Sequence, residues 1–195
     1  MGIVCDGMGG HAMGETASET VIDAIAQYWQ ETTALPDTEE KVREACQKAS
    51  TALDNKARTL HNVQMGTTMV MACVEGATLT IVHIGDSRCY LQRAGEGLIH
   101  RTTDHTGLSF GWEIVTKCFF SFKPEIAIPE ITQIPIKSGD RILLCSDGIY
   151  KSIPPEILQD RMMDEKSPDE ILDVFDFLCE KNGDDNYTAI LAIIE

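Results

Sequence analysis

The sequence predicts an α+β fold with antiparallel sheet covered on both faces. Three observations carry that expectation. Two long segments near the N-terminus repeat apolar residues at helical spacing. The pattern then changes to short β-branched and apolar runs joined by tight glycine turns, as in antiparallel hairpins. Those runs are apolar on both faces, so neither face of the sheet is expected to meet water.

In chain order, Ile3-Val4-Cys5 is a short strand that ends on Asp6 and a turn, Gly7-Met8-Gly9-Gly10-His11. Ala17, Val21, Ala24, Ile25, Tyr28 and Trp29 then form one stripe of a helix from about residue 15 to 32. Leu35-Pro36-Asp37 breaks it, and Asp37 with Glu40 reads as the cap of a second helix. That helix buries Val42, Ala45, Cys46, Ala49 and Leu53 and ends near His61-Asn62. Strands are expected at 67–74, 78–84, 89–93 and 98–102. Residues 104–122 carry no clear period, and Trp112, Phe119, Phe120 and Phe122 read there as one packed aromatic cluster. The run 126–136 holds two prolines, which suits an edge strand. A strand over 140–145 leads into Ser146-Asp147-Gly148, and 154–163 forms a short helix. Ser167-Pro168-Asp169-Glu170 is a capping box that opens a helix with Ile171, Leu172, Phe175, Leu178 and Cys179 inward. A last strand covers 188–194. No linker or repeat interrupts the pattern, so residues 1–195 are expected to form one domain.

Composition narrows the function. The 195 residues carry a net charge of −15, which disfavours nucleic acid and anionic membrane surfaces as partners and suits cations. No basic leader precedes an apolar run, and no run is long enough to span a bilayer. The seven cysteines are scattered without a C-x-x-C pair, as expected of buried, reduced thiols in a cytoplasmic protein.

Four strand ends carry an aspartate beside glycine or asparagine: Asp6-Gly7, Gly85-Asp86-Ser87-Arg88, Ser146-Asp147-Gly148 and Asp184-Asp185-Asn186. Each alone is an ordinary turn. Brought together at one sheet end, the carboxylates repel unless cations hold them, and hard oxygen donors suit Mg²⁺ or Mn²⁺. Paired ions of that kind are a recurrent device for hydrolysing phosphoesters.

Asp6-Gly7-Met8-Gly9-Gly10-His11 with Gly14-Glu15 resembles the metal-binding turn of the PP2C (PPM) family of Ser/Thr protein phosphatases, in its bacterial type. Gly66-Thr67-Thr68, Gly85-Asp86-Ser87-Arg88, Thr103-Asp104-His105, Gly139-Asp140-Arg141, Ser146-Asp147-Gly148 and Asp185-Asn186-Tyr187-Thr188 match later motifs of that family in order. The resemblance implies a four-layer α-β-β-α sandwich of two antiparallel sheets flanked by helices. It implies two Mn²⁺ or Mg²⁺ ions, bridged by Asp6, with the Gly7 carbonyl, Asp147 and Asp185 as further ligands. Asp86 matches the carboxylate of a third, weaker site, and His11 is the candidate general acid or a residue that orients a ligand. The implied reaction is direct attack of metal-activated water on the phosphoserine or phosphothreonine of protein substrates, opposite a cognate kinase, in signalling.

Three departures from the family pattern bear on this expectation. The arginine and acidic pair that normally precede the Asp-Gly turn are absent from these 195 residues, as in a fragment, a late-called start or a short form. Their loss leaves a catalytically impaired regulatory module as the alternative reading, and an unpaired sheet edge. Lys151 stands where the family has an acidic residue for the third metal, which argues against a tight third site. The flap after Asp104-His105 is short.

Overall fold

The computed structural model describes residues 1–8, 11–32, 39–183 and 185–195, and of residues 11 and 12 the backbone alone. In chain order the elements are β1 (Gly2–Val4), β2 (Gly7–Met8), α1 (His11–Glu31), α2 (Glu39–Thr59), β3 (Gly66–Thr67) and β4 (Met69–Glu75). β5 (Thr78–Ile84), β6 (Arg88–Arg93), β7 (Gly97–Arg101), β8 (Thr106–Ser109), β9 (Trp112–Val115) and β10 (Phe119–Phe120) follow. A 3₁₀ turn (Pro124–Ile126) leads to β11 (Glu130–Pro135), β12 (Arg141–Cys145), α3 (Asp147–Ser152), α4 (Pro155–Met162), α5 (Pro168–Asn182) and β13 (Ala189–Ile193).

Two four-stranded antiparallel sheets, ordered β1-β4-β5-β11 and β13-β12-β6-β7, form the centre. The period of two along each strand sorts the side chains into layers. Val70 and Ala72 of β4 join Ile142 and Leu144 of β12 and Cys89 and Leu91 of β6 between the sheets. Met69, Met71 and Cys73 of β4 face the other way, onto Ala17, Val21 and Ile25 of α1 and Val42, Ala49 and Leu53 of α2. Leu143 and Cys145 of β12 pack on Ile149 of α3, Leu158 of α4 and Ile171 and Phe175 of α5. The result is the α-β-β-α sandwich, and strands covered on both faces explain the near-continuous apolar runs of β4, β5 and β12. Each buried Val, Leu or Ile contributes about 1.5–3 kcal/mol.

Several local expectations need correcting. The run 67–74 is not one strand: it breaks at Thr68 into β3 and β4, because Thr68 leaves the ladder to bond Asp6. Residues 104–122 form a two-stranded hairpin, β8–β9, followed by β10 in a small sheet ordered β10-β3-β2. The aromatic cluster expected there is split, with Phe119 fully buried while Trp112 is 77% exposed and Phe110 stands at the hairpin tip with a positive φ. Asp147 does not sit in a simple turn but opens helix α3. The Leu35-Pro36-Asp37 break and the Asp37 cap fall outside the described residues. The capping box of α5 is present, with Glu170 N–H donating to Ser167 Oγ and Ser167 N–H to Glu170. β11, which follows Pro129 and ends on Pro135, lies at a sheet edge, as does β1. Among the described residues, no helix is long and apolar enough to cross a membrane. None of the seven cysteines forms a disulfide, and all but Cys5 are buried.

A candidate metal centre at one end of the sandwich

β1 and β5 run in the same direction in one sheet, and β12 ends where β13 begins in the other. Their ends therefore gather Asp6, Asp86, Asp147 and Asp185 at one end of the sandwich. Asp6 leaves β1 and is held by backbone and threonine contacts rather than by its own side chain. Its N–H donates to Thr68 Oγ1 at 3.1 Å, and its carbonyl accepts from Thr68 N–H at 2.9 Å and Thr67 Oγ1 at 2.8 Å. Thr68 Oγ1 also pairs with Ser87 Oγ at 2.7 Å, which ties the Asp6 turn to the Asp86 turn. Both threonines are buried, so these bonds are shielded from water.

Three glycines let the acid-bearing segments approach their neighbours closely. A Cβ at Gly7 would lie 2.1 Å from the Gly14 carbonyl oxygen of α1, and one at Gly148 would lie 2.2 Å from that of Asn186. Gly85, at φ +112°, sits against Thr68, where a Cβ would be 2.6 Å from the threonine side chain. No other residue fits such approaches. They press α1 onto the Asp6 turn, the Asp86 turn onto Thr68, and the start of α3 onto the Asp185 loop. Ser146 completes the last join: its N–H donates to the Thr188 carbonyl and its Oγ accepts from Thr188 N–H, both at 3.0 Å.

The carboxyls of Asp6 and Asp147 come within hydrogen-bonding range of each other, and Asp86 and Asp185 act on Asp6 through space. Burial first, then Asp147 and the other two acids, push the Asp6 carboxyl up to about 7. Asp86 is also held above the ordinary range, by burial and then by the Asp147 charge. Among the described residues no three ligating side chains close on one metal-sized position, so the four acids face a shared space rather than form a finished cage. An open groove of about 440 Å³ runs beside two of them, Asp6 and Asp185, lined also by Gly7, Glu15, Ser18 and Asn186. Acids gathered closely enough to raise the pKa of Asp6 and of Asp86 call for positive charge, and their oxygens, with the Gly7 carbonyl, are donors of the type hard divalent ions take. The donor set fits a Mg²⁺ or Mn²⁺ centre.

Around the acids, a network that the sequence did not announce fixes the Asp86 turn. Tyr150 of α3 donates its hydroxyl to the Asp86 carbonyl at 3.0 Å. The Arg88 guanidinium lies 3.4 Å over the Tyr150 ring and grips Asp104 with two bonds of 2.8 and 2.6 Å. His105 N–H donates to the Gly85 carbonyl at 2.8 Å, while Gly85 N–H donates to His105 Nδ1 at 3.1 Å. His105 Nε2 therefore keeps the proton and faces Glu130 at 3.2 Å. His83 stacks on His105 with ring centres 4.6 Å apart, and burial lowers its pKa to about 4, so it serves as a neutral core ring. Arg88 and Asp104 were visible in the quoted motifs, but nothing in sequence spacing points to Tyr150.

The side chain of His11 and the whole of Asp184 lie outside the described residues. Lys151 reaches from the surface towards the acids. Its ammonium meets Asp147 Oδ2 at 2.5 Å.

Comparison with known proteins identifies the family and the fold. The profile of the family described as protein phosphatase 2C matches residues 1–192. The serine/threonine phosphatase stp of Listeria welshimeri is 30% identical over 213 aligned positions, which cover 97% of this chain and 82% of that protein. The crystal structure of the Mycobacterium tuberculosis serine/threonine phosphatase PstP superposes with a TM-score of 0.84 at 28% identity, covering 99% of this chain and 87% of that one. A further structure of the PstP catalytic domain, in complex with two manganese ions, matches with a TM-score of 0.80 at 27% identity and covers 99% and 87% of the two chains.

Proposed function

The chain belongs to the protein phosphatase 2C family, and from that premise we propose that it removes phosphate from phosphoserine and phosphothreonine in proteins, using divalent cations held by Asp6, Asp147, Asp185 and Asp86. The meeting of Asp6 from one sheet with Asp147 from the other is the observation that carries this reading. Two carboxyls at the ends of separate strands have no structural reason to be pressed together unless a cation is to be shared.

Asp6 feels the charges of the other three acids, so it is the carboxylate that would be shared between two ions. The Gly7 carbonyl, Asp147 and Asp185 would complete a pair of sites, with Asp86 within reach of the Asp147 charge. Bound there, Mn²⁺ or Mg²⁺ would supply Lewis-acid activation of water and neutralise charge on the phosphoryl oxygens. The chain's own part is positioning. Thr67, Thr68 and Ser87 fix the Asp6 and Asp86 turns, and Tyr150 with Arg88 locks Asp86 against α3. The open groove leaves room for an extended peptide to bring its phosphorylated residue to the acids. His11, at the start of α1, is the candidate proton donor to the leaving serine or threonine oxygen. The buried cysteines take no part: burial raises Cys46 and Cys89 to about 12, far from a reactive thiolate. Cysteines without disulfides suit a reducing compartment, so we place the protein in the cytoplasm, opposite a Ser/Thr kinase.

The test is phosphate release from a phosphothreonine peptide with Mn²⁺ and with EDTA, for wild type and Asp147→Asn. Turnover that needs Mn²⁺ and is lost in the variant supports the reading. Turnover in EDTA, or full activity in Asp147→Asn, would sink it.

A further inference from the structure

The carboxylate cluster already holds one cation, and it belongs to the chain. Lys151 lies one helical turn after Asp147 on α3, and its ammonium sits 2.5 Å from Asp147 Oδ2. An acid four residues before a lysine is the favourable order for such a pair on a helix. Proximity alone would make this an ordinary surface pair, but its surroundings differ. Asp147 is only 14% exposed, whereas the lysine side chain is 57% exposed and reaches inward from solvent. Asp86 and Asp185 lie close enough for their charges to act on the ammonium as well. Among the described residues, no other ion pair reaches these four acids.

We propose that Lys151 is a resident counter-ion of the cluster: a tethered ammonium that neutralises Asp147 in the metal-free protein and must leave it when a divalent cation binds. The inference rests on the metal reading above and adds a competitor to it. A carboxylate oxygen that hydrogen-bonds an ammonium at this distance cannot give the same lone pair to a metal ion. The exchange is feasible because the lysine stem is exposed and can swing into water without unpacking anything. One consequence follows: divalent-ion affinity is set by competition as well as by the ligands.

The experiment titrates Mn²⁺ calorimetrically into wild type, Lys151→Met and Lys151→Arg, in the absence of substrate. A second readout follows the lysine side-chain ammonium signals by ¹⁵N NMR as diamagnetic Mg²⁺ is added. Lys151→Met should bind Mn²⁺ roughly fivefold more tightly, the factor expected when a pair of this exposure stops competing. Lys151→Arg should stay within about twofold of wild type, because it keeps the charge. The Lys151 ammonium signal should move to the position of a free lysine as Mg²⁺ saturates. Mn²⁺ binding by Lys151→Met where wild type binds none would support the proposal in its strongest form. Equal Mn²⁺ affinity of wild type and Lys151→Met, or an ammonium signal indifferent to Mg²⁺, overturns it while leaving the metal reading intact. Failure of wild type and Lys151→Met alike to bind Mn²⁺ overturns the metal reading, and this inference with it.

Discussion

Asp6→Asn should stabilise the metal-free protein and destabilise the metal-loaded one relative to wild type. The first effect follows from the neighbours of Asp6. In the unfolded chain its carboxyl titrates near 3.9; in the fold, burial and then Asp147, Asp86 and Asp185 push it up to about 7. The folded state therefore favours the protonated form, and an acid with a raised pKa costs stability as pH climbs from the unfolded value towards the folded one. Above pH 7 that cost is complete, and a shift of about three units corresponds to roughly 4 kcal/mol. Water reaches this half-buried group and screens it, which brings the expected gain in Asp6→Asn to about 2 kcal/mol at pH 8. At pH 4 most of the difference disappears, because Asp6 is then protonated in the fold and about half protonated in the unfolded chain. Urea unfolding in EDTA at pH 8 and pH 4 measures both. With saturating Mn²⁺ at pH 8 the order should reverse, since wild type gains binding free energy that the asparagine variant loses. A wild type more stable than Asp6→Asn in EDTA at pH 8 would refute the claim that the acids are pressed together at a cost.

Asp140 should behave in the opposite sense. It is fully buried, grips Arg93 with two bonds of 2.7 Å and accepts from Lys137 N–H at 2.9 Å, and Arg93 first among these holds its pKa down. Its stabilisation is present above the unfolded carboxylate pKa and lost as pH falls through the depressed folded one, so Asp140→Asn should lower the urea midpoint at pH 7 and flatten its fall with acid. Gly148→Ala sets a Cβ 2.2 Å from the Asn186 carbonyl oxygen, and should cost about 1–3 kcal/mol and weaken Mn²⁺ binding by moving Asp147 away from Asp185. A thermal melt lower by about 5 °C, with a calorimetric Mn²⁺ titration, checks it. Phe119→Ala should cost about 3–5 kcal/mol, whereas Trp112→Ser should stay within about 0.5 kcal/mol, because the first ring is buried and the second exposed. Equal losses in urea would contradict the hairpin placement.

What could be read in advance follows the range over which each signal acts. The α1 stripe and the bounds of β5 are local patterns repeated over several turns or residues, and the fold keeps them. Helix α3 spans only six residues, too few for a period to show, and begins on an aspartate and a glycine that read as a turn. The break at Thr68 depends on a partner 62 positions away in sequence, so the continuous apolar run concealed it. The aromatic residues of 110–122 look alike as composition, and only the course of the backbone decides that Phe119 goes inward and Trp112 outward. The four acids were legible because each stands at the end of a strand with a turn residue beside it. Their order of contact was not, nor was the direction in which Lys151 points.

The glycines and the acids of the site make one argument together. Gly7, Gly85 and Gly148 remove the side chains that would keep three acid-bearing segments apart, and their contacts are tighter than any other residue allows. A fold selected for stability alone would have relaxed these approaches and let the carboxylates separate into water. Instead the threonine and serine bonds around Asp6, Ser87 and Thr188 shield and fix the turns that bring like charges together. The strain sits at one end of the sandwich, while the three apolar layers elsewhere supply the stability that tolerates it. Lys151 fits the same logic, since a tethered cation keeps the charged end folded until a diffusible one arrives.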